Sequence, residues 1–100
     1  MEEIFKPTNG YENHYEVSNF GNVISLKYDK RRIMKQTTTR KGYLSVDLRK
    51  DKTRKQCLVH ILVALLFIPN NQEERDQIDH INGDKKDNEI NNLKHTIYTP

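Results

Sequence analysis

Gly42-Tyr43-Leu44-Ser45-Val46-Asp47-Leu48-Arg49, then Lys50-Asp51-Lys52-Thr53, then Arg54-Lys55-Gln56-Cys57-Leu58-Val59 is the stretch that decides the fold. Leu44, Val46 and Leu48 alternate with Tyr43, Ser45, Asp47 and Arg49, the period-two pattern of a strand with an apolar face inward and a polar face outward. Lys50 to Thr53 turns the chain back, and residues 54–59 read as the returning partner. Upstream, Tyr15-Glu16-Val17-Ser18 and Asn22-Val23-Ile24-Ser25 flank Asn19-Phe20-Gly21. Gly21 can supply a positive φ there, so this segment reads as a short hairpin. A further strand is predicted near Ile33 to Thr38. Downstream, the apolar residues of Leu58 to Phe67 fall on every side, which predicts a buried helix ended by Ile68-Pro69-Asn70. A polar surface loop follows, to Gln77. Gln77 to Ile81 and the stretch around Leu93 and Ile97 then read as two strands joined by the turn-rich segment Asn82 to Asn88. The expected class is α+β: a small antiparallel β-sheet module, one buried helix and a C-terminal Asp-His hairpin.

One hundred residues, 31% charged and 34% hydrophobic, allow one compact domain or two very small modules sharing a core. The longest apolar run, Leu58 to Ile68, has eleven residues and contains His60. That is short of the roughly 18 a membrane span needs, so no membrane partner is expected. The chain opens with acidic Met1-Glu2-Glu3, unlike a secretory signal. Its single cysteine, Cys57, excludes an intramolecular disulfide and a multi-cysteine zinc site. The expected setting is soluble and cytoplasmic. Charge is unevenly spread: residues 27–55 hold twelve lysines and arginines against three aspartates, a net of +9, while the segments on either side each carry −3. A basic block beside an acidic one suits a nucleic-acid enzyme, with phosphates on the first and a metal on the second. The candidate DNA-binding residues are Lys30, Arg31, Arg32, Lys35, Arg40, Lys41, Arg49, Lys52, Arg54 and Lys55.

Asp79 and His80 carry the candidate chemistry. Phosphodiester hydrolysis needs a group that takes a proton from water and a cation that stabilises the charge developing on phosphate. A neutral imidazole suits the first role and a carboxylate holding a hard divalent ion the second. Adjacent residues leave an extended strand on opposite faces, but at a strand end both can address one site. His60, which opens the helix, reads as a structural residue, and Cys57 as a small core residue. Asn82, Asn88 and Asn91 read as turn formers that satisfy local backbone donors. The acidic loop fails as a calcium-binding EF-hand, because the position needing an acid five residues before Gly83 is Ile78.

Two sets of motifs, in order, resemble the HNH homing endonucleases of phages and mobile elements. Val59-His60-Ile61-Leu62-Val63-Ala64, Phe67-Ile68-Pro69-Asn70, Ile78-Asp79-His80-Ile81-Asn82-Gly83-Asp84-Lys85, Asn88 and Asn91-Asn92-Leu93-Lys94 are similar to the nuclease signature. Gly10-Tyr11-Glu12, Tyr15-Glu16-Val17-Ser18-Asn19, Gly21 and Val23 resemble the small DNA-binding module that commonly precedes it. The resemblance implies a β-rich nuclease-associated DNA-binding module over 1–52 and an HNH, or ββα-metal, nuclease domain over 53–100. It further implies His80 as general base, Asp79 as ligand to one Mg²⁺ or Mn²⁺ ion, Asn92 holding the loop that aims His80, and nicking of double-stranded DNA. Ile61, His95 and Phe5 depart from the family pattern, which has a basic residue at the first position and Trp at the other two. The family's last helix, bearing a third His or Asn, would start where this sequence stops at Pro100. The ββα unit is therefore expected to be truncated, with His95 a candidate replacement ligand. An incomplete site leaves a second expectation open: a catalytically impaired DNA- or protein-binding phage protein, acting as a regulator or inhibitor.

Overall fold

The structure, a computed structural model, describes residues 1–68 and 77–96. Its strands fall into three antiparallel sheets: the module expected as one small sheet is two, and the expected C-terminal hairpin is the third. The first has four strands in chain order: β1 (Phe5–Pro7), β2 (Tyr15–Ser18), β3 (Val23–Ser25) and β4 (Arg32–Ile33). The second joins β5 (Thr37–Thr38), β6 (Leu44–Lys50) and β7 (Thr53–Leu58), and the third pairs β8 (Gln77–His80) with β9 (Leu93–Thr96). The helix α1 (Val59–Phe67) follows β7 with no intervening loop. The expected helix stop at Pro69-Asn70, the polar loop up to residue 76 and Ile97 lie outside the described residues. Among the described residues no helix is long and apolar enough to cross a membrane.

The strand expected over Ile33 to Thr38 is two strands in two sheets. Ile33 pairs with Ile24 of β3, whereas Thr37 pairs with Ser45 of β6. The chain must bend between these partners. Met34 still donates its N–H to the Val23 carbonyl at 2.8 Å, and the Gln36 amide reaches the Gly21 carbonyl at 2.8 Å. Periodicity alone cannot register such a change of partner, because both halves are locally extended.

The β6–β7 ribbon keeps the alternation over Val46 to Arg49, while Ser45, on the polar face, is buried as well. Val46 and Leu48 are buried while Arg49 is exposed. The apolar face packs with Val17 and Val23 of the first sheet, with Val59, Leu62, Val63 and Ala64 of α1, and with Ile78 and Leu93 of the third sheet. α1 has no side-chain cap at its N-terminus. Its stability therefore derives from burial, with each fully buried aliphatic side chain contributing about 1.5–3 kcal/mol. The expected module boundary at 52/53 falls at the end of the β6–β7 turn, so this hairpin runs across it. Tyr15 adds a polar tie between sheets, its hydroxyl accepting from the Arg49 N–H at 3.0 Å.

The turn itself is a two-residue loop, closed by the Lys50–Thr53 pair, with Asp51 at φ 53° and Lys52 at φ 66°. Positive φ at both central residues matches the right-handed twist of a hairpin but is unfavourable for a lysine. Lys52→Gly is expected to raise stability by about 0.5–1 kcal/mol, read as a higher urea midpoint at unchanged m-value.

Candidate active site

Pairing of β8 with β9 sets Asp79 opposite Lys94 and His80 opposite Leu93. His80 ends its strand, and the chain turns at once, with the Gly83 N–H donating to the His80 carbonyl at 3.0 Å. At this strand end Asp79 and His80 both line one cavity of about 360 Å³, with Tyr43, His60, Ile61 and Lys85 among its other walls.

The loop between β8 and β9 is closed by Asn92. Its Oδ1 accepts from the Asn82 N–H at 3.0 Å, while its Nδ2 donates to the Asn82 side-chain oxygen and to the Asp87 carbonyl, each at 2.9 Å. Asn82 in turn accepts from the Asp84 N–H at 2.9 Å, the local backbone role expected of it. Asn88 departs from that expectation. It is only 3% exposed, and its Oδ1 lies 2.7 Å from the His80 Nε2, so it holds the site histidine and does not act as a surface turn former. The sequence offers no signal separating Asn88 from its neighbours in a loop this rich in asparagine.

His60 is buried, as expected of a structural residue, but it also forms the wall behind His80. Its ring stacks on Tyr43 at 4.9 Å and lies 4.9 Å from the ring of His80. Burial first, and the neighbouring His80 second, lower its pKa from 6.5 to about 4. Tyr43 sits on the polar face of the β6 pattern, immediately before the strand, and was legible there only as outward-facing. Lys85 reaches over it, with Nζ 4.9 Å from the ring and 2.9 Å from the Lys41 carbonyl, and so brings a fixed cation to the cavity rim. The side chain of His95 lies outside the described residues.

All ten candidate basic residues are exposed, but they do not form one patch. Arg49 and Arg54 oppose each other on the face of the ribbon that also carries Tyr43, Ser45 and Leu58. Arg54 meets Asp47 at 3.4 Å. Arg32, Lys35 and Arg49, joined by Lys27, line a second cavity of about 420 Å³. At about 3.3 Å per residue, it lies roughly 20 Å along the ribbon from Tyr43. Arg40 and Lys41 occupy the β5–β6 turn, beside the site. Lys55 instead opposes Leu48 on the other face, Lys52 lies in the turn, and Arg31 is paired with Glu16 at 3.0 Å.

The lowered pKa of His60 has a consequence for stability. Between pH 4 and 6.5 the unfolded chain binds a proton at this residue that the folded chain does not, so its contribution is full above pH 6.5 and lost as pH falls toward 4. At about 1.4 kcal/mol per pH unit, the fall from 6.5 to about 4 corresponds to a loss on the order of 3 kcal/mol. Urea unfolding of wild type and His60→Gln across this range is expected to show a difference in stability between the two that narrows by that amount.

A family described as the NUMOD4 motif matches residues 3–49, and one described as HNH endonuclease matches residues 57–94. An uncharacterized HNH endonuclease of Acanthamoeba polyphaga mimivirus is 47% identical over 96 residues, covering 92% of this chain and 23% of that protein. DNA endonuclease I-HmuI of Bacillus phage SP01 is 39% identical over 90 residues, covering 90% of this chain and 50% of that one. A solved structure described as DNA binding and cleavage by the HNH homing endonuclease I-HmuI superposes with a TM-score of 0.81 at 37% identity, over 97% of this chain and 53% of that one. The chain thus spans about half, or less, of the length of these relatives. With both segments matched in order and the fold shared, the chain consists of a NUMOD4 motif followed by an HNH endonuclease segment, an arrangement similar to that of the homing endonuclease I-HmuI.

Proposed function

We propose that this chain is a metal-dependent DNA endonuclease that nicks double-stranded DNA, with His80 as general base and Asp79 as metal ligand. The observation that carries this reading is the convergence of Asp79 and His80 on one cavity beside an exposed basic ribbon. The relative I-HmuI is named a DNA endonuclease, and its solved structure concerns DNA binding and cleavage.

In this reading His80 takes a proton from the attacking water as the phosphodiester is hydrolysed. Asn92 keeps the loop closed, so the ring that it flanks does not drift. His60, held neutral, adds no second cation beside the base. Mg²⁺ is commonly held by one or two carboxylates with the remaining oxygens from phosphate and water. Asp79, which lines the cavity beside His80, would be such an anchor, with phosphate and water oxygens completing the shell. A bound divalent ion would stabilise charge on the phosphate and on the leaving oxygen. Arg49, Arg54 and Arg32 would meet DNA phosphates, which position the duplex without reading its sequence.

Nicking of supercoiled plasmid by the chain with Mn²⁺ or Mg²⁺ is expected to stop with chelator and to fall by at least ~100-fold in His80→Ala, with DNA affinity retained. Equal nicking by wild type and His80→Ala would overturn the assignment of the base. Salt-sensitive DNA binding without nicking in either metal would instead support a binding protein on a nuclease scaffold. Arg32→Ala with Arg49→Ala is expected to reduce the slope of log K against log[salt] by about 2, measured by fluorescence anisotropy.

A further inference from the structure

We propose that the N-terminal module fixes the orientation and tautomer of His80 through Asn88, which is seated on Gly21. This rests on the reading of His80 as general base and adds how the base is aimed.

Gly21 lies in the turn between β2 and β3 at φ 90°, and a Cβ placed there would come 2.9 Å from the Asn88 Cβ and 3.1 Å from its carbonyl oxygen. Contact this close requires glycine on both counts, backbone conformation and space. The turn is itself held firmly. Its Gly21 N–H donates to the Ser18 carbonyl at 3.0 Å, and the Ser18 hydroxyl accepts from the N–H groups of Phe20 and Asn22, each at 3.1 Å. The Ile90 N–H donates to the Asn19 carbonyl at 2.8 Å, so the turn grips the nuclease loop on the far side of Asn88 as well. Gln36 completes the seat by donating to the Gly21 carbonyl at 2.8 Å.

Asn88 is thereby left with little freedom. Its Nδ2 is buried without a hydrogen-bond partner, which is rare for a polar side chain free to choose its own orientation. Its Oδ1, 2.7 Å from the His80 Nε2, can only accept. Nε2 must then carry the ring hydrogen, which leaves the lone pair of Nδ1 to take the proton from water. Asn88 is a positioning residue in this scheme, and Gly21 supports it from the other module.

The test is the ¹⁵N spectrum of the imidazole rings in the full chain at a pH where they are neutral, four histidines being few enough to assign with His80→Ala. Wild type is expected to show His80 with hydrogen on Nε2. Asn88→Ala should give the averaged signals of mixed tautomers and nicking about 10- to 100-fold slower, with DNA affinity unchanged. Asn88→Asp, which keeps an acceptor, should restore the Nε2–H pattern. Gly21→Ala should shift the His80 signals as Asn88→Ala does; if it fails to fold, Gln36→Ala takes its place. Unchanged His80 signals in Asn88→Ala, or an Nδ1–H ring in wild type, would overturn the proposal. A folded Gly21→Ala, or Gln36→Ala in its place, with wild-type ring signals would overturn the part assigned to the N-terminal module. Nicking unaffected by His80→Ala would fault the general-base reading alone, because the ring signals report positioning without reference to cleavage.

Discussion

The burial of one face of the β6–β7 ribbon against α1 is the constraint on which the rest of this small protein depends. Leu48, Val59 and Val63 are fully buried there, together with Val17 and Val23 from the first sheet. The sheets flanking the ribbon are built from strands of two to four residues, too short to make a core alone. By sharing one core, the NUMOD4 and HNH segments are held in a fixed relation. The direct passage of β7 into α1 then has a chemical result. It brings His60 and Tyr43 into stacking contact and sets both beside the end of β8, where Asp79 and His80 emerge.

Most of the fold was legible because alternation and burial speak in the same register. The hairpins around Gly21 and Asp51, the alternating strand and the all-round apolar helix each satisfy a local rule that tertiary packing reinforces. What escaped depends on partners distant in sequence. Nothing local says that Ile33 pairs with Ile24 while Thr37, four residues on, pairs with Ser45 in another sheet. The site divides the same way. Asp79 and His80 stand out by residue type, and Asn92 enters only through the family resemblance; in the structure Asn92 closes the loop between β8 and β9. Asn88 could not be singled out, because its distinction lies in what covers it: a glycine 67 residues earlier whose missing side chain leaves room.

The basic block illustrates how a count of charges differs from a surface. Twelve cations between residues 27 and 55 predicted an outer face rich in positive charge. The register of β6 against β7 sorts them instead, placing Arg49 and Arg54 on the face shared with Tyr43 and Lys55 on the other. Asp47 neutralises part of that face through Arg54, and Glu16 does the same for Arg31. Such exposed pairs are worth little to stability, at ~0–1 kcal/mol, so their larger effect is to shape where an anionic ligand is drawn. Of the other cations, Arg40 and Lys41 lie beside the cavity, and Arg32 and Lys35 line the second cavity roughly 20 Å along the ribbon.

The pairing of two histidines at one cavity follows from the same economy of core. If His80 acts as the proposed general base, an imidazole beside it would oppose its protonation by carrying charge itself, because like charges at close range disfavour one another. Burial of His60 resolves this by keeping that ring neutral near pH 7, and Tyr43 covers its face. The charges left at the cavity are then the Asp79 carboxylate and the Lys85 ammonium, one suited to a cation and the other to a phosphate oxygen. A core residue thus doubles as the electrostatic floor of the site. Among the described residues, with a single α-helix, the wall of the core and the wall of the cavity share the side chain of His60.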